Sequence, residues 1–196
     1  MPALQAGGQE FESPRVHHFL AGQNVPMDIG KVRSFYPVTS AASCAGRIPY
    51  SPHFMKLIIG SKTDTKKLAK KISGQLRGGE IIGLIGQLGA GKTTFIQYLA
   101  KALGVKNTVN SPTFNILKIY LARFPNSEIR NLVHVDAYRL RSADELTALG
   151  AQEYFERNDT ITIIEWADKV KKILPKKAMV INIKIKSKNE RVFEIK

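Results

Sequence analysis

The sequence predicts an α/β fold with a mainly parallel sheet flanked by helices, antiparallel edge strands and a C-terminal β-hairpin. Three observations predict it. From Met55 onward, short apolar runs alternate with stretches of helical periodicity, the pattern of strand–helix units. A glycine-rich segment, Gly86–Thr93, joins the apolar run Ile81–Ile85 to a helical stripe of Phe95, Leu99 and Leu103. Finally, Ala178–Lys186 and Arg191–Lys196 alternate apolar and polar residues around Ser187–Glu190, which reads as a terminal hairpin.

Residues 1–54 differ from the rest. Pro, Gly and Ser are common there, charges are sparse and no periodicity persists. The stretch lacks the apolar core of a secretory signal, and Glu10 and Glu12 argue against a transit peptide. It is expected to be disordered or a non-native extension, with Met55 opening a domain over 55–196.

Within that domain Lys56–Ile59 reads as a short strand. Ser61-Lys62-Thr63-Asp64 has the form of a capping box, and Leu68, Ile72 and Leu76 form the apolar stripe of a first helix. Arg77-Gly78-Gly79 ends it. Gly104 suits the position just past the helix Thr94–Leu103. Asn110–Phe114 is a polar loop turned by Pro112, before a strand at Asn115–Tyr120. Leu121–Arg130 is expected to be a hairpin loop, and Asn131–Val135 a strand ending in Asp136. Ser142-Ala143-Asp144-Glu145 resembles another capping box, opening a helix through Leu146, Leu149 and Phe155 that Gly150 bends. Thr160–Ile164 is a β-branched strand ending in Glu165-Trp166, followed by the basic segment Lys169–Lys177.

The 196 residues suit one domain, and the 43% apolar content suits a globular core. No apolar run is long enough to span a membrane. The single cysteine, Cys44, excludes an internal disulfide and fits a reducing compartment, and the expected location is cytoplasmic. His17-His18 lacks companions at zinc-ligand spacing. The net charge of +14 favours polyanionic partners, nucleic acid or an acidic protein surface, without indicating sequence-specific recognition.

Gly86-Gln87-Leu88-Gly89-Ala90-Gly91-Lys92-Thr93 is a complete G-x-x-x-x-G-K-[ST] in its required strand–loop–helix context. Glycines let such a loop wrap so that backbone N–H groups converge on phosphate oxygens, and the helix N-terminus adds positive potential. Gly89, Ala90, Gly91, Thr93 and Thr94 are therefore expected to contact a nucleotide. Lys92 would reach the β- and γ-phosphates, and the Thr93 hydroxyl would hold Mg²⁺. Such a site needs an acid at the end of a neighbouring strand. Asp136 and Glu165 both qualify, and spacing does not rank them. Ser111 and Thr113 lie in a hydroxyl-bearing loop that reads either as an ordinary turn or as a sensor of the γ-phosphate.

Five segments occur together in order: the phosphate loop through Phe95, Ser111-Pro112-Thr113-Phe114, His134-Val135-Asp136-Ala137-Tyr138-Arg139-Leu140, Asp144-Glu145-Leu146 and Ile164-Glu165-Trp166. In this the chain, from Met55 to its end, resembles the TsaE (YjeE) family of small P-loop ATPases of tRNA threonylcarbamoyladenosine synthesis. The resemblance implies a P-loop NTPase-like fold that binds ATP and Mg²⁺. It implies catalytic roles for Lys92, Asp136 and Glu165, with Thr93 and Glu165 on the metal. It also implies that the Ser111–Thr113 loop acts in hydrolysis or switching, that Trp166 sits at the nucleotide or partner surface, and that Lys62 to Thr65 lie near the adenine. Gln87 departs from the family pattern, which usually has Asp there.

The expected function is that of an ATP-hydrolysing subunit for threonylcarbamoyl modification of tRNA. It would work with the transferase subunits, a TsaD/TsaB-like heterodimer, with tRNA as an indirect partner. Weak intrinsic turnover, dependent on those partners, is expected. Two alternatives remain: a small-molecule kinase, for which Arg139, Arg141 and Arg157 would have to supply a lid, and a nucleotide-gated binding module without enzymatic purpose.

Overall fold

The computed structural model describes residues 54–196 apart from 113, 126 and 156. The expectation for 1–54 therefore falls, Phe54 aside, outside the described residues, as does that for Thr113. Seven strands form one sheet: β1 (Met55–Ile59), β2 (Ile81–Ile85), β3 (Leu117–Leu121), β4 (Asn131–Asp136), β5 (Thr160–Glu165), β6 (Met179–Ile185) and β7 (Arg191–Ile195). Their spatial order is β1-β7-β6-β2-β5-β4-β3. The four inner strands β6, β2, β5 and β4 run parallel, and β3, β7 and β1 add antiparallel edges. This is the expected fold class.

Helices cover both faces of the inner strands, and most of the residues buried there are apolar. On one side Ile82, Leu84, Leu132, Ile161, Ile163, Ile181 and Phe193 share a core with helices α1 (Lys62–Ser73) and α2 (Lys92–Ala102). On the other, Val133, Val135 and Ile164 pack with residues of helix α3 (Ala143–Ala148) and of the 3-10 helix Ala167–Ile173. Gly83 is small for that reason: a Cβ there would lie 2.9 Å from the Ala167 Cβ.

Local signals held where they were chemically complete. Ser61 caps α1, its side chain accepting from the Asp64 N–H at 3.1 Å. Gly104 follows α2 with φ 76°, pressed so closely on Arg123 that a Cβ would come within 2.4 Å of that carbonyl oxygen.

Three expectations need correction. The helix from Ser142 does not reach Phe155. It ends at Ala148, Gly150 turns left-handed (φ 71°), and Ala151–Tyr154 resumes as a 3-10 turn. Its capping box is also incomplete: the Ser142 side chain makes no cap bond, and Glu145 accepts instead from the Arg141 N–H at 3.0 Å. The third strand begins at Leu117, not Asn115, because Asn115 and Ile116 both donate to the Pro112 carbonyl in a turn and Ile116 is left-handed (φ 61°). Part of the basic segment, up to Ile173, belongs to the 3-10 helix begun by Ala167.

Candidate functional site

The phosphate loop leaves β2 at Gly86 and enters α2 at Lys92. Gly86 passes so close to β6 that a Cβ would lie 2.4 Å from the Ile183 carbonyl oxygen, and Gly91, just before the helix, has φ 102°. Neither position accepts an L side chain without strain. The loop thus closes from β2 onto the α2 N-terminus, where amide dipoles favour an anion.

β4 and β5 pair in register, with Asp136 opposite Glu165. Both acids are buried. Since β4 residues 132, 134 and 136 alternate onto the face that α2 covers, as do 161, 163 and 165 of β5, both carboxylates emerge beside the loop.

Their partners distinguish them. The Thr93 hydroxyl lies 2.9 and 3.0 Å from the two oxygens of Glu165. Its proton is directed at that carboxylate, which leaves the oxygen lone pairs for a cation. Oε1 of Glu165 also lies 3.0 Å from Nε2 of the fully buried His134. Asp136 instead accepts from the Ser111 hydroxyl, and from the Tyr138 N–H at 3.0 Å. Sequence spacing left the two acids equal; strand register and the start of α2 put Glu165 on Thr93 and Asp136 on the loop that carries Ser111.

Lys92 is 5% exposed. Its ammonium donates to the Gly86 and Gln87 carbonyls at 2.7 and 3.2 Å and lies 3.8 Å from the Trp166 ring centre. Burial lowers its pKa from the usual lysine value, an effect opposed in part by the charges of Glu165, Asp136 and Asp168. Trp166 takes a left-handed backbone (φ 57°), unusual for a bulky residue, and its ring also meets Tyr138 with centroids 5.0 Å apart. Lys169 anchors the Tyr138 segment by donating to the carbonyls of Tyr138 and, at 3.3 Å, Leu140.

Beside the loop lies a recess of about 290 Å³. Gly89, Ala90, Gly91 and Thr94 line one side, and Ser61, Lys62 and Thr65 of the α1 start line another. Of the residues expected at a nucleotide, Lys62, Thr65, Gly89, Ala90, Gly91 and Thr94 share this recess, whereas Lys92, Thr93, Ser111 and Trp166 do not line it. A third wall that sequence reasoning does not find comes from the β6–β7 turn and the first residues of β7: Lys188, Asn189, Arg191 and Phe193. Arg191 staples that turn by donating to the Ser187, Lys188 and Glu190 carbonyls at 3.0, 3.3 and 3.1 Å. No local signal marks this wall, which depends on the hairpin reaching back past β2. A larger, shallower depression at the β3–β4 connection, lined by Arg123, Phe124, Glu128 and Arg130 among others, lies apart from this chemistry.

The oxygen donors Thr93 and Glu165 suit a hard cation such as Mg²⁺. Among the described residues no group of three or more His, Cys, Asp or Glu could hold a metal alone. An ion held by these two residues would take its remaining ligands from outside this pair.

Comparison with known proteins gives the family. Residues 59–193 match the family described as threonylcarbamoyl adenosine biosynthesis protein TsaE. A Rickettsia typhi protein named tRNA threonylcarbamoyladenosine biosynthesis protein TsaE is 38% identical over 70% of this chain and 92% of its own length. Proteins of that name from Bacillus subtilis (39% identity; 65% of this chain, 76% of theirs) and Aquifex aeolicus (37%; 71% and 94%) are similar. The crystal structure of Bacillus subtilis YdiB superposes with a TM-score of 0.58 at 28% identity, covering 75% of this chain and 87% of that one. With a matched stretch that spans the phosphate loop, both strand-end acids and most of the C-terminal hairpin, the chain belongs to the TsaE family.

Proposed function

We propose that this chain is a Mg²⁺-dependent ATPase that supports threonylcarbamoyl modification of adenosine 37 in tRNA. The observation that carries the catalytic part is the Thr93–Glu165 contact at the end of the phosphate loop. The family and the names of its relatives support the pathway.

The triphosphate would lie along Gly89–Thr94, with the base in the recess between the α1 start and the β6–β7 turn. Lys62, Thr65 and Asn189 bring polar groups to that recess, and Lys188 and Arg191 bring cations. Lys92 would exchange its carbonyl partners for phosphate oxygens, which an ammonium with three donors does at little cost in geometry. Mg²⁺, when bound, would neutralise charge developing on the phosphates. Thr93 and Glu165 would position it, directly or through water. Asp136, held by Ser111 and the Tyr138 N–H, is placed to orient a water or to couple the Ser111 loop to the nucleotide.

The carbamoyl-transfer chemistry would belong to transferase subunits, a TsaD/TsaB-like heterodimer, in the cytoplasm. Leu88 and Phe114, 79% and 85% exposed, offer apolar contacts to such partners near the loop. No described helix is long and apolar enough to cross a membrane. A kinase lid finds little support. Arg157 is committed to Asp159 through two contacts at 3.0 and 3.1 Å, and the Arg139 guanidinium stacks 4.4 Å from the Phe114 ring centre.

Lys92→Ala tests the reading. ATP binding and acceptor-free phosphate release, measured with the transferase subunits present, should both be lost while circular dichroism stays unchanged. A variant that still turns over ATP would refute the assignment. Wild-type turnover that needs an added small-molecule acceptor would favour the kinase, and ATP binding without turnover the binding module.

A further inference from the structure

His134 has no part in the chemistry described so far, yet it is the most deeply placed polar side chain beside the site, with no solvent exposure. It stands on β4 next to Ile163 of β5, one alternation below Asp136. Its Nε2 meets Glu165 Oε1 at 3.0 Å, while Nδ1 is buried with no hydrogen-bond partner among the described residues. An aliphatic side chain, such as those around it, would fill the position without burying an unsatisfied nitrogen. Packing therefore does not account for an imidazole here. Contact with Glu165 does.

We infer that His134 is a positioning residue that fixes the Glu165 carboxylate for the cation at Thr93, an inference that rests on the nucleotide reading above. A carboxylate only accepts, so the shared proton sits on Nε2. Oε1 then accepts from both His134 and Thr93. The Thr93 hydroxyl has one proton and serves one oxygen at a time. His134 thus supplies the second donor that fixes the carboxylate while the Thr93 lone pairs face a cation. Outer partners of this kind set the orientation of metal-binding groups.

Two variants of the full chain test this: His134→Leu, which keeps the bulk, and His134→Gln, whose amide nitrogen extends about as far as Nε2. Affinity for fluorescent N-methylanthraniloyl-ADP is measured with Mg²⁺ and with EDTA. The leucine variant should lose the Mg²⁺-dependent part of the affinity, by about ten- to a hundredfold, and keep its affinity in EDTA. Glutamine should restore most of the Mg²⁺ effect. An unaltered Mg²⁺ effect in His134→Leu, or equal failure of both variants, would overturn the inference while nucleotide binding stands. Wild-type protein that binds no ADP in either condition would remove the nucleotide reading and this inference with it. Nitrogen NMR of the ¹⁵N-histidine-labelled chain gives an independent check: the Nε2–H tautomer is expected for His134, and the Nδ1–H tautomer would overturn the inference.

Discussion

Replacing Glu165 separates what its carboxylate does for the fold from what it does for the nucleotide. The group is 3% exposed and accepts from Thr93 and His134. Glu165→Ala leaves the buried His134 Nε2–H without an acceptor, a loss of about 1–3 kcal/mol. Removing the buried Cγ methylene with the carboxyl group and opening a void adds about 1–2 kcal/mol. The half-buried Thr93 hydroxyl can turn to water and adds little. Relief of the buried charge offsets part of this, so about 3 kcal/mol of destabilisation is expected. Glu165→Gln differs because its carbonyl still accepts from His134 and its amide can donate to Thr93. Two charge-assisted bonds become neutral, a loss of about 1 kcal/mol each, against a smaller desolvation cost for an amide. Its stability should stay within about 1 kcal/mol of wild type. Its Mg²⁺-dependent ATP hydrolysis with the transferase subunits should nevertheless fall by about a hundredfold or more. Urea unfolding and phosphate-release assays read the two quantities. If Glu165→Gln unfolded as readily as Glu165→Ala but retained turnover, the carboxylate would be structural and the metal-side acid would have to be Asp136.

Three further outcomes follow from other parts of the fold. Arg191→Ala releases the staple of the β6–β7 turn and should weaken ATP binding several-fold while leaving tripolyphosphate binding unchanged; an equal loss for both ligands would move the base out of the recess. Hydrogen bonds from Arg157 and Thr160 hold the Asp159 carboxyl at about 2, below its usual 3.8. This depression stabilises the fold above about pH 4 and is lost as pH falls toward 2. The full shift equals about 2.5 kcal/mol, but with the side chain 35% exposed solvent screening reduces the expected share to about 1 kcal/mol. Asp159→Asn should therefore flatten acid unfolding between pH 4 and 2, and an unchanged pH profile would remove the pair from the account. Gly104→Ala must hold a left-handed backbone against the Arg123 carbonyl and should lower stability by about 2 kcal/mol or more; a neutral effect in thermal melts would contradict the packing at that corner.

The sequence by itself determined the elements whose cause is local. The phosphate loop, the Ser61 cap and the Gly104 terminator all rest on residues within a few positions of one another. β2 and β5 were likewise legible as strands, from an apolar run and a β-branched one. Even there, Gly150 breaks the helix rather than bending it, because a left-handed glycine ends a short helix that lacks a side-chain cap.

Only the tertiary structure decided which acid meets Thr93, that His134 stands behind it, and that the β6–β7 turn closes the recess. Each of these depends on the register of strands far apart in the chain. A shift of one residue in β4 against β5 would turn His134 and Asp136 to the opposite face, and no local pattern reports that register.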